Sequence, residues 1–111
     1  MKRADLAIRA VAVEFGVSRT LILGPERCRA IARPRHIAMW LCLDTPGLTL
    51  SAIARAFGRD RGTVRKGIAR AAAAVDAHPG LARRVATARD AMVAELRLPG
   101  MYVDLFRDDS R

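Results

Sequence analysis

Residues 56–67 read AFGRDRGTVRKG, and within them Arg59, Arg61, Arg65 and Lys66 stand against a single acid, Asp60, with Phe57 and Val64 as the large apolar side chains. Cations packed this closely attract a polyanion, and guanidinium groups can grip a phosphate or a guanine edge with two parallel hydrogen bonds. The excess continues on either side. Between positions 27 and 70 there are ten basic residues, Arg27, Arg29, Arg33, Arg35, Arg55, Arg59, Arg61, Arg65, Lys66 and Arg70, against Asp44 and Asp60. The 111-residue chain carries a formal +9, from 20 Lys and Arg against 11 Asp and Glu, so the middle of the chain holds nearly all of it. One arginine on a solvated face says little, but a cluster of this size points to nucleic acid or an anionic membrane surface. Only Lys2 and Lys66 are lysines and alanine is plentiful, a bias that a GC-rich genome also produces.

Other chemistries are poorly supported. Cys28 and Cys42 lie fourteen positions apart without paired spacing, and His36 and His78 do not cluster with them, so no metal site is expected. No Ser/His/Asp, Cys/His or paired-carboxylate arrangement stands out, and there is no GxxxxGK[ST] loop, so neither catalysis nor a cofactor is expected. Asp5, Arg9 and Glu14 interrupt the N-terminal apolar positions and no long apolar run follows, which predicts a cytoplasmic, nucleoid-associated protein with no membrane partner.

The elements that must carry the cations read as helices. About half the residues are apolar, enough for one modest core, and no alternating strand pattern, repeat or low-complexity linker occurs. Leu6, Ala10, Val11 and Val13 form a first apolar stripe that stops at Gly16, and Ser18 then caps a short turn over 20–23, closed by Gly24-Pro25. A helix is predicted from Arg33, with Pro34 in its first turn and Ile37, Ala38 and Leu41 buried. Thr49 caps the next, whose stripe is Ile53, Ala54 and Phe57. Another opens near Arg61 with Val64, Ile68, Ala71 and Val75 on one face, and His78-Pro79-Gly80 ends it. The last carries Leu81, Val85, Ala88, Met92 and Leu96. The expected fold is all-α, a compact bundle of five to six helices over residues 1–98, followed by a tail over 99–111.

Spacing gives the cations a frame. Ala54, Gly58 and Val64, at intervals of four and six, supply the small crossing residue, the left-handed turn residue and the locking aliphatic of a helix-turn-helix. The intervals resemble those of bacterial regulators, and they put Asp60, Arg61, Gly62, Thr63, Arg65 and Lys66 on the N-terminal part of the second helix, the end that enters a major groove. Gly67 departs from that pattern, an aliphatic being usual there, with Ile68 as the substitute.

A more specific likeness rests on RCRAIARPRHIAMWL followed by TLSAIARAFGRDRGTV. Together these resemble the C-terminal DNA-binding domain of the bacterial replication initiator DnaA family over about residues 11–75. The matching features are Arg27 and Arg29 in a loop, Arg33-Pro34-Arg35, Ala38-Met39, Phe57-Gly58, and the run from Arg59 to Val64. The resemblance implies a partner, double-stranded DNA, and a set of roles. Arg27 would enter a narrow A·T-rich minor groove. Arg29, Arg33, Arg35, His36 and Arg59 would hold phosphates, and Lys66, beyond Val64 where the sequence differs from the family, would add a further phosphate contact. Asp60, Arg61, Gly62, Thr63 and Arg65 would face the major groove, with Asp60 accepting from cytosine N4 and Thr63 meeting a thymine methyl or a phosphate. Arg27, Arg35 and Arg61 are accordingly expected to be exposed.

The departures alter what the site would read. One glycine before Arg59 is absent, the family histidine is Arg61 and its first threonine is Gly62. An arginine there suits guanine O6 and N7, while Gly62 removes a side-chain contact. Two functional classes follow: a sequence-specific transcriptional regulator at a promoter or phage-like operon, and an accessory replication or nucleoid protein competing with the initiator for origin-like sites. A protein-interaction module that has lost DNA binding fits the retained charge less well. In the tail, Tyr102, Val103, Leu105 and Phe106 either pack back on the last helix or, with Asp104, Asp108 and Asp109 beside them, form a contact for a protein partner.

Overall fold

The computed structural model describes residues 3–45 and 47–97; the expectation for the tail over 99–111 falls outside the described residues. Six helices appear in them: α1 Arg3–Phe15, α2 Arg19–Leu23, α3 Arg29–Cys42, α4 Leu50–Phe57, α5 Arg61–Ala77 and α6 Pro79–Arg97. No strand occurs among the described residues.

The middle helix organises the rest. α3 is apolar on most sides, burying Ile37, Ala38, Met39, Leu41 and Cys42, and it packs against α1, α2 and α5. α6 lies across α1 and α5, burying Val85, Ala88 and Met92 as its spacing predicts. α4 and α5 pack together through Ile53, Ala54, Phe57 and Val64, none more than 5% exposed. These side chains join one continuous core, whose burial is the main favourable term for a domain of this size.

Two caps follow the sequence reading. Ser18 accepts the Leu21 amide at 3.1 Å to open α2, and Thr49 accepts the Ala52 amide at 3.1 Å to open α4. Each satisfies a donor that the first helical turn leaves without a partner.

Three expectations need correction. α3 begins at Arg29, not Arg33, so Pro34 sits in its interior. Proline leaves the Ala30 carbonyl without its helical donor, but Ala30 is exposed and water can replace the bond, while Ala30 and Ala32 favour helix upstream. Val13 is 45% exposed. It lies about 200° round the helix from Val11, and α1 turns its packed faces, with Ala4, Leu6, Ala7, Ile8, Ala10 and Val11, toward its neighbours instead. Pro79 and Gly80 end α5 and also start α6, with Pro79 at the first helical position, where its missing N–H costs nothing.

Candidate nucleic-acid interface

The opening stretch folds into the turn and second helix of a helix-turn-helix. α4 ends at Gly58 with φ +64°, a left-handed conformation that glycine adopts without a Cβ penalty. The Gly58 amide then donates to Arg55 O at 3.2 Å and the Arg59 amide to Ala54 O at 3.0 Å, closing the last turn of α4 and reversing the chain. Asp60 follows as the N-cap of α5, its Oδ1 accepting the Thr63 amide at 2.7 Å. That amide, then the Thr63 hydroxyl and the Lys66 charge, hold the carboxyl below its usual range. The expected acceptor of a cytosine amino group thus already serves as a helix cap. Val64 and Ala71 bury one side of α5, leaving Arg61, Gly62, Thr63, Arg65 and Lys66 exposed on the other.

Gly67, the departure from the pattern, has a packing reason. It is buried where α5 meets α3, and a Cβ there would lie 2.8 Å from His36 Cδ2 and 3.0 Å from Met39 Sδ. His36 would have to shift and Met39 to give way, so the side chains of α3 take the space an aliphatic would fill. Ile68, half-buried beside it, packs against the core.

The second set of cations sits on the loop between α2 and α3 and on α3 itself. Arg27 and Arg29 are exposed, and Arg33 and His36 are half-buried. Arg35 is not exposed as expected. It is 5% accessible, and its guanidinium donates through Nε to Ile22 O at 2.6 Å, through Nη1 to Glu26 O at 2.8 Å, and through Nη2 to Gly24 O at 2.9 Å and Leu21 O at 3.3 Å. The turn over 21–26 has few backbone partners of its own, and an arginine fork from α3 supplies them. Arg59 is half-buried and similarly engaged, donating to Phe57 O at 2.8 Å and Gly24 O at 2.6 Å.

An open groove of about 660 Å³ lies beside the second set, with Arg27, Arg29, Arg33 and His36 on one side and Arg70 of α5 on the other. Burial, followed by the charges of Arg70, Arg35 and Arg59, pulls His36 below its ordinary value of 6.5. At neutral pH it is a neutral imidazole, able to bond a phosphate through an N–H but adding no charge. Arg70 received no role from the sequence. Its signal was the four-residue spacing from Lys66, which puts both on one face of α5.

The remaining polar chemistry is sparse. Among the described residues no three His, Cys, Asp or Glu side chains stand close enough to hold a metal, and no helix is long and apolar enough to cross a membrane. Cys28 and Cys42 are both free thiols, Cys28 exposed and Cys42 buried, where burial pushes its thiol up to about 12.

The family described as "Bacterial dnaA protein helix-turn-helix" matches residues 4–70, which spans α1 to α4 and the first ten residues of α5. The chain belongs to this DnaA helix-turn-helix family. Relatives agree: the chromosomal replication initiator protein DnaA of Ruegeria sp. (strain TM1040) is 41% identical over 63 residues, covering 56% of this chain and 13% of that protein. The initiator of Neisseria meningitidis (strain FAM18) is 41% identical over 81 residues, covering 72% of this chain and 16% of that protein. The chain thus spans a small part of the length of these curated relatives. What it shares with them is the DnaA-type DNA-binding helix-turn-helix, which is a binding domain and not a catalytic one. In this DnaA-type domain the loop bearing Arg27 and the start of α5, with Arg61 and Gly62 at the tip, are both exposed.

Proposed function

We propose that the protein binds specific sites in double-stranded DNA, acting at the nucleoid as a transcriptional regulator. α5 enters the major groove with Arg61 on a guanine, and Thr63 and Arg65 alongside it. Arg27 enters the adjacent minor groove. Arg29, Arg33, Lys66 and Arg70 hold phosphates, with a neutral His36 as a further donor, and Asp60 acts first as the cap that presents the tip of α5. The observation that carries this reading is the exposed first two turns of α5, in which every large side chain outside the core is cationic.

A second reading is occupancy of origin-like sites in competition with the initiator. It is favoured by the relatives being named as replication initiators. The two share a binding mode and differ in where the sites lie. A genome-wide occupancy map decides: sites at promoters support regulation, and a cluster at the origin supports the replication role.

The binding mode has its own test. Four to five phosphate contacts give a log K against log salt slope of roughly −4 for duplex DNA. A slope near zero overturns the proposal. Duplex should be preferred to single strand, because the exposed tip of α5 and the loop carry no aromatic platform on which bases could stack.

A further inference from the structure

We infer that Arg59 and Arg35 are positioning residues that fix the register between the loop carrying Arg27 and the helix carrying Arg61, by closing on one shared acceptor, the Gly24 carbonyl. The inference rests on the two-groove reading above and assigns these arginines a role other than phosphate contact.

The connections are short. Gly24 O accepts from Arg59 Nη2 at 2.6 Å and from Arg35 Nη2 at 2.9 Å. Arg35 also holds Glu26 O at 2.8 Å, the carbonyl of the peptide that leads directly into Arg27. At the other end, Arg59 grips Phe57 O at 2.8 Å and is followed immediately by the Asp60 cap and Arg61. The loop, α3 and the turn of the helix-turn-helix are therefore joined through side chains at the point where the chain itself offers no link: Gly24 and Arg59 are thirty-five positions apart.

The chemistry suits a clamp better than a salt bridge. Neither guanidinium forms an ion pair with a carboxylate among the described residues, and two cations meet at one oxygen. The carbonyls they share, with the nearby Glu26 charge, offset their repulsion. Arginine is the side chain that can do this, since its planar fork reaches two carbonyls in fixed directions, whereas a lysine ammonium is a single point on a flexible stem.

A clamp of this kind makes the two groove contacts report on their separation along the duplex. Moving the A·T segment by one base pair displaces it by about 3.4 Å, more than a hydrogen bond accommodates. A linked protein rejects such a site, and an unlinked one follows it.

The experiment uses the full chain and a duplex series in which an A·T tract is stepped, one base pair at a time, past a fixed best core. The wild type should favour one offset by about tenfold over its neighbours, equivalent to ~1.4 kcal/mol. Arg59→Ala should bind the neighbouring offsets nearly as well as the best one while keeping its preference at the core, and Arg59→Lys should recover part of the offset preference. If Arg59→Ala does not fold, as read by circular dichroism, the same comparison is made with Arg59→Lys against wild type. The inference is overturned if the variant weakens all offsets alike, with the salt slope shallower by about one unit and the offset preference intact, which is how a phosphate contact behaves. A wild type with no offset preference, and no loss from Arg27→Ala on A·T tracts, would remove the two-groove reading and the clamp with it.

Discussion

Replacing Arg35 by alanine should cost fold stability, although the residue sits among arginines that face solvent. Four hydrogen bonds leave with the guanidinium, but they do not count equally. Leu21 O keeps the Gly24 amide at 3.2 Å, Gly24 O keeps Arg59, and Glu26, being exposed, can turn its carbonyl to water. Ile22 O has no such recourse, since Ile22 is fully buried, and an interior carbonyl without a donor costs about 1–3 kcal/mol. Loss of the packed arginine stem adds roughly 1 kcal/mol. The sum is about 2–4 kcal/mol, or a fall in Tm of roughly 8–16 °C for a domain of this size. Thermal unfolding by circular dichroism measures it, with exposed Arg27→Ala as the control, expected within about 0.5 kcal/mol of wild type. Arg35→Met, which keeps the stem and removes the donors, should recover only the packing part. An Arg35→Ala protein that melts within about 2 °C of wild type would refute the reasoning and return Arg35 to the surface.

Other consequences concern the faces of α5. Gly62 lies in its first turn with open space around it, the nearest neighbour of a Cβ being Asp60 Oδ1 at an ordinary 3.4 Å, so Gly62→Ala should raise stability by about 0.5–1 kcal/mol in chemical denaturation. Gly67→Ala should do the opposite, because overpacking against His36 and Met39 outweighs the gain in helix propensity, for a net loss of about 1 kcal/mol in the same assay. His36 is held below 6.5, so on acidification through that value the unfolded chain takes up the proton first. Stability should therefore fall from pH about 6.5 down to the lower folded value and then level off, and His36→Gln should flatten that part of the stability–pH curve.

Much of this fold was legible because local signals and packing agreed. Ser18 and Thr49 cap the helices that their side chains suit, Gly58 takes the left-handed turn, and Val64 locks α5 at no exposure. What failed did so where tertiary contacts decide. Pro34 marked the wrong end of α3, because a proline inside a helix is acceptable when the freed carbonyl faces water. Arg35 read as one more surface cation, since nothing in a run of arginines shows which of them meets a turn short of donors. The cap role of Asp60 went unread, although its position directly before α5 suited one. Gly67 read as a departure from the helix-turn-helix pattern, and the reason for it, a seam between two helices, lies in the packing. Within the candidate site, the exposure of the tip of α5 was legible from residue type and order, and that of Arg27 from the family resemblance. The link between them was not, because the Gly24 carbonyl that joins them belongs to the backbone and leaves no mark in the sequence.

The central claim is that the tip of α5 reads a base pair, and selection from a randomised duplex pool at two salt concentrations, run on wild type and Arg61→Ala, tests it directly. The account predicts that the wild type returns a defined motif. Arg61→Ala should return the same motif with preference lost at one G·C pair, at a cost of about 1–3 kcal/mol on the best site. Its salt slope should stay within about one unit of wild type. A motif unchanged by Arg61→Ala, with only a uniform loss of affinity, would contradict the account and leave Arg61 as one more charge on the surface.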